Sequence, residues 1–162
     1  MRQNGRGLVL KYLFLLIAFV VCPGVQAEKW KTYRDAKIGI EFQHPPDWNC
    51  TWHEDKQMLL VMPEVTKPPY VGFQTKPNNP DNLPIETWYK KTQRPNAGAH
   101  LGTFAGQPAM VIPIDKASTH YISYEVARPG GIILIAVTRE SAADPTSPLT
   151  LEKILQSCKL TK

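Results

Sequence analysis

The chain has 162 residues, with 19 Lys or Arg, 14 Asp or Glu, and 43% hydrophobic residues. That length suits one domain and can bury a core without cross-links. The positive excess is no binding surface: Arg2, Arg6 and Lys11 lie within the first 27 residues, where no acidic residue stands, so the rest sets sixteen basic against fourteen acidic side chains. A nucleic-acid partner needs a clustered basic face and is not expected.

Residues 1–27 have the order of a secretory signal. The basic n-region is followed by an apolar run, Tyr12 to Val21, and by small residues at Val25 and Ala27, which places cleavage before Glu28. Ten apolar residues span only ~15 Å as a helix against a hydrocarbon core of ~30 Å, so a membrane anchor is disfavoured. A lipidated Cys22 is the rival reading, and Val21 before it is larger than that processing prefers. Residues 28–162 then form a single domain in the periplasm or outside the cell, with no stable membrane insertion.

Along that domain, Ile38, Ile40 and Phe42 alternate with polar or small residues and predict a half-buried strand. Pro45-Pro46-Asp47 stops it, and Trp48, Cys50 and Trp52 share one face of the next strand. Glu54 to Lys56 turns the chain into a return strand over 57–62. Tyr70 to Thr75 is a short strand. Asn82 is placed to cap a helix with Pro84 in its first turn and Ile85, Trp88 and Tyr89 as its apolar stripe. Runs 100–105 and 108–115 flank a turn at Gly106-Gln107, and Pro113 marks the second run as an edge strand or bulge. Ile122, Tyr124 and Val126 alternate with Tyr121, Ser123 and Glu125. After Gly130-Gly131, the run Ile132 to Val137 is apolar on both faces, so it predicts a central strand covered on both sides. Ser147 and Pro148 open a last helix whose buried stripe is Leu151, Ile154, Leu155 and Cys158. The fold class read from this order is α+β, an antiparallel sheet with helices packed against it.

Tyr33, then Gly39-Ile40-x-Phe42, then Pro45-x-x-Trp48 resembles the opening of PsbP-like domains, and Gly106-Gln107-Pro108-Ala109 resembles their mid-chain hairpin. His44 departs from the pattern, since an aromatic residue is commoner before the proline. The resemblance implies an α/β/α sandwich on an antiparallel sheet. Its superfamily includes an extrinsic photosystem II protein, a Ran-binding nuclear protein and envelope proteins of the DcrB type, mostly adaptors or assembly factors. The family supplies no catalytic residue to carry over. No plastid-type transit sequence is present, which argues against a photosynthetic role.

Cys50-x-x-His53 with Glu54 and Asp55, and His44 nearby, is the one cluster that suggests metal-dependent or other hydrolytic chemistry in the His44–Asp55 region. Strand alternation sets Cys50 and His53 on opposite faces, so neither a metal site nor a Cys/His nucleophile is expected. No G-x-S-x-G elbow, P-loop or dinucleotide fingerprint occurs, and no cofactor is implied. Ser118-Thr119-His120 reads as a polar loop, and His100 as a surface residue. Asn49-Cys50-Thr51 matches a glycosylation acceptor inside a strand. The expected function is therefore an exported, non-enzymatic binding or adaptor domain whose partner is an envelope or secreted protein.

Most aromatic side chains are expected to fill the core. Tyr121, whose strand face carries Ser123 and Glu125, and Tyr70, between Pro69 and Val71, are the exceptions. Tyr70, Tyr121 and Glu125 are the candidate partner-binding residues. Cys50 and Cys158 both fall on core faces in an oxidising compartment, and a disulfide between them is expected if the last helix crosses the Cys50 strand.

Overall fold

The computed structural model describes residues 29–63, 68–92, 98–116, 119–141 and 143–161. Residues 1–28, which include the expected signal and Cys22, and Ser118 lie outside the described residues. Ten strands and two helices follow one another: β1 (Lys31–Asp35), β2 (Ile40–His44), β3 (Asn49–His53), β4 (Met58–Met62), β5 (Tyr70–Lys76), α1 (Ile85–Thr92), β6 (His100–Phe104), β7 (Gln107–Lys116), β8 (Thr119–Arg128), β9 (Ile132–Arg139), α2 (Ser147–Gln156) and β10 (Lys159–Leu160).

The strands make two sheets. Seven of them run β3-β4-β5-β9-β8-β7-β6, every neighbouring pair antiparallel. The other three form a small sheet, β1-β2-β10. The first strand of the sequence motif therefore leaves the main sheet. β1 carries one apolar side chain, Tyr33, and two-residue β10 is too short for a periodicity signal. Both are strands because β2 lies between them.

Period-2 alternation in β9 sorts the core into two layers. Leu134 and Ala136 join Phe42 of β2, Val61 of β4, Phe73 of β5 and Ile154 of α2 on one face. Ile133 and Ile135 join Ile85, Trp88 and Tyr89 of α1 on the other. Phe42 stacks on Phe73 with ring centroids 5.0 Å apart, which joins the small sheet to the large one. Each such side chain removed from water contributes about 1.5–3 kcal/mol. The result is the sandwich the sequence implied, with α1 on one side and α2 sharing the other side with the small sheet.

The motif residues have local reasons. Gly39 ends the β1–β2 turn, donating its N–H to Asp35 O at 2.9 Å, at φ +74°. Trp48 donates its N–H to Pro45 O at 3.1 Å, which closes the proline turn and swings the indole into the core. His44 is buried, with Nδ1 2.8 Å from Pro45 O, and burial pushes its pKa down.

Four expectations need correction. The β6–β7 turn is Ala105-Gly106, not Gly106-Gln107; both residues have positive φ, as a type I′ turn requires. Pro113 lies in β7, between β6 and β8, yet β6 reaches only to Val111, so β7 is a local edge at the proline. Asn82 does not cap α1: at φ +50° it turns away, and its Oδ1 accepts the Gly131 N–H at 2.7 Å. Asn79 organises this loop instead, bonding both the N–H and the carbonyl of Leu83 at 2.9 Å. Finally, Cys50 and Cys158 are free thiols. α2 packs chiefly against β2 and β5 and ends at Gln156, so Cys158 stands beyond the helix whose crossing the bridge needed. Cys158 instead donates its Sγ–H to Ile154 O at 3.4 Å.

Candidate partner-binding face

In the antiparallel registers, residues directly opposite one another point to the same face of the sheet. Tyr70 of β5 lies opposite Arg139 of β9, and Arg139 lies opposite Tyr121 of β8. The two tyrosines singled out in sequence thus flank one arginine across three strands. Arg139 has the parity of Ile133 and Ile135, so the row stands on the α1 face of the sheet, beyond the stretch that α1 packs against.

The guanidinium carbon of Arg139 sits 5.2 Å from the centre of the Tyr121 ring, within cation–π range. Burial raises the Tyr70 pKa, the neighbouring Tyr121 adds to that rise, and Arg139 opposes it. Among the described residues no carboxylate pairs with Arg139. Its Nε is buried without an acceptor. All three side chains are half-buried, so the row is open to solvent on one side.

Glu125, the third candidate, stands elsewhere. It lies opposite Met110 and Ile135, both of the α1 cluster, and is only 8% exposed. Its Oε2 has no partner, and burial raises its pKa against the pull of Lys76. It therefore does not share the half-buried, solvent-open position of the two tyrosines.

In the His44–Asp55 region the two histidines have separate surroundings. His53 Nδ1 is 3.9 Å from Asp55 Oδ1, while His44 is held at its own proline turn. Among the described residues no group of three or more His, Cys, Asp or Glu side chains converges. Burial pushes the Cys50 and Cys158 thiols up to about 12, which keeps both protonated.

On the opposite side, a cleft of about 570 Å³ opens between the β1–β2 turn, the ends of β8 and β9, and the C-terminal strand. Lys37 and Arg128 are its charged lining residues. Both are engaged: Lys37 lies 4.4 Å over Trp52, and Arg128 donates to Gly39 O at 3.1 Å and Thr161 O at 2.6 Å. This arginine joins the two sheets and has little left for a ligand.

Sequence reasoning missed Arg139. The available signal was a charged residue continuing, in parity, the apolar face of the strand that should be covered on both sides. A side chain there must find a partner, stack on aromatics or wait for a ligand.

No family model matches the chain, and no curated protein matches it. Solved structures do. A protein of Bacteroides thetaiotaomicron VPI-5482 superposes with a TM-score of 0.55 at 14% identity, over 82% of this chain and 48% of that one, so this chain spans about half its length. Cyanobacterial PsbP from Synechocystis sp. PCC 6803 superposes with a TM-score of 0.57 at 14% identity, over 86% of this chain and 96% of that one. LpqN of Mycobacterium tuberculosis, involved in cell envelope biogenesis, gives a TM-score of 0.44 at 11% identity, over 83% and 91% of the two chains. At such identities the likeness is one of architecture, and it agrees with the element order and the opening motif: the chain has a PsbP-like fold.

Proposed function

We propose that this chain is an exported, non-enzymatic adaptor domain that binds a protein partner at the cell envelope, through the sheet face that carries Tyr70 and Tyr121. The observation that carries the reading is the convergence of these two half-buried tyrosines on Arg139, outside both core clusters. Aromatic and arginine side chains that keep an open face are the usual anchors of a protein interface. Two further points support it. The chemistry-bearing residues of the His44–Asp55 region stay apart, and both thiols are buried and protonated. Among the described residues no helix is long and apolar enough to cross a membrane. Export rests on the order of residues 1–27, and N-terminal sequencing of the secreted chain tests it: a start at Glu28 supports cleavage, and a retained Met1 overturns it.

The binding role is tested by site-directed photocrosslinking in the envelope fraction of producing cells. A photoreactive residue at position 121 should give a discrete adduct with another protein. The same residue at position 54, in the exposed β3–β4 turn, should not. Equal labelling from both positions would remove the case for this face, and measurable turnover of esters or peptides by the purified protein would remove the case for a non-enzyme.

A further inference from the structure

The Tyr70–Arg139–Tyr121 row has a chemical preference as well as a position. Arg139 holds a positive charge that is half-buried and, among the described residues, has no carboxylate partner. Arginine is rarely desolvated without a counter-charge, because the lost hydration must be replaced. The guanidinium carbon lies over the Tyr121 ring, 5.2 Å from its centre. A ring contact of that kind leaves the in-plane N–H groups available to donate, and the Tyr70 hydroxyl takes up part of that capacity. Nε is buried and has no acceptor, so the terminal amino groups are the part that a ligand can reach. The arginine of the opposite face shows the alternative: Arg128 spends its terminal N–H groups on the carbonyls of Gly39 and Thr161.

We propose that Arg139, framed by Tyr70 and Tyr121, is a recognition site for a single carboxylate on the partner protein. The charge balance selects that class. One guanidinium matches one negative charge, and its fork matches the two oxygens of a planar carboxylate. A phosphate, doubly charged, calls for clustered cations or a helix N-terminus. Among the described residues the row offers one cation, beside two phenols and the apolar Ile114 opposite Tyr121. Tyr70 holds a hydroxyl near the guanidinium and adds a donor to the same oxygens. The site rests on the adaptor reading only for its biological occupant; the carboxylate preference belongs to the isolated protein.

The probe is a tripeptide, blocked at both ends, with aspartate between two glycines. Its asparagine counterpart and a diglycine with a free C-terminus are the comparisons, at matched ionic strength. The Nε–Hε signal of Arg139 is followed by NMR on the full mature chain. A saturable shift is expected with the aspartate peptide and binding weaker by tenfold or more with asparagine, the ratio that one charge-assisted pair supplies. A response to free diglycine in place of the aspartate peptide would assign the site to a chain terminus and uphold the carboxylate. Arg139→Gln should abolish the response. Arg139→Lys, which keeps the charge and loses the fork, should weaken it several-fold, and it serves should the glutamine variant not fold. Equal shifts with aspartate and asparagine, or tighter binding of inorganic phosphate than of the aspartate peptide, would overturn the proposal. Adducts from position 121 without any carboxylate binding would overturn this inference and leave the adaptor reading standing. Carboxylate binding with no partner captured would do the reverse.

Discussion

Two arginines stand on opposite faces of the same sheet, and they are used in opposite ways. Arg128, at the end of β8, reaches across to the small sheet and gives its terminal N–H groups to Gly39 O and Thr161 O. Gly39 is a glycine partly for this reason, since a Cβ there would come within 3.0 Å of Thr161 O and 3.1 Å of the Arg128 guanidinium. Arg139, at the end of β9, lies against Tyr121 with a buried Nε that has no acceptor. Both side chains are half-buried. The difference is therefore not exposure but satisfaction: one cation closes a polar account inside the fold, and the other is left open toward solvent.

The largest expected effect tests the closed side. Arg128→Ala removes two charge-assisted hydrogen bonds and takes from Thr161 O its donor, while Gly39 O keeps the Thr161 N–H, so it should cost about 3 kcal/mol. The midpoint of urea unfolding should fall with an unchanged slope. A loss below about 0.5 kcal/mol, the range of an ordinary surface change, would mean that the contact between the sheets does not depend on it.

Asn79 sharpens the comparison, because it is a satisfied polar group near the other face. It is 1% exposed, and its amide bonds both the N–H and the carbonyl of Leu83. Asn79→Ala should cost about 2 kcal/mol by leaving both backbone groups unpaired. If it costs as little as a surface change, satisfaction does not separate structural from functional polar groups in this molecule.

Glu125 gives a smaller, pH-dependent effect. Its folded pKa is raised by burial, so the native state holds its proton at pH values where the unfolded chain has released it. Stability contributed this way is present below the unfolded value of 4.5 and is lost as pH rises through the raised folded pKa. Glu125→Gln cannot release a proton, so the stability difference, variant minus wild type, should grow in the variant's favour between those limits. Melting curves across that range check the sign. A difference that shrinks as pH rises would show that the carboxylate has a partner in solution.

The smallest effect is expected at the open side. Arg139→Leu removes a cation that has no carboxylate partner among the described residues and adds apolar contact beside two tyrosines, so its stability should stay within about 0.5 kcal/mol of wild type or rise. A loss as large as that of Arg128→Ala would place Arg139 among the structural residues and end the contrast.

Much of the architecture was legible because its cause is local. The alternation of Ile38, Ile40 and Phe42, the stripe of Ile85, Trp88 and Tyr89, and the doubly apolar run from Ile132 to Val137 each encode burial with a period set by one strand or one helix. Ile40, Phe42, Ile85, Trp88, Tyr89 and Ile133 to Ala136 are buried as those periods imply, while Ile38 is buried from the turn before β2 and Ile132 and Val137 are half-buried. The proline turn before Trp48 is equally local, closed by one backbone bond to Pro45. The partition into two sheets was not legible, since nothing within residues 31–44 says whether their edge will meet β3 or β10. The fate of the cysteines depended on which strands α2 crosses, and the role of Asn82 on a hairpin 49 residues away. Tyr70 and Tyr121 were visible as aromatic residues outside the core pattern, but the arginine between them was not. Strand order and register placed Arg139 there, and those are chosen by the packing of the whole domain rather than by any window of its sequence.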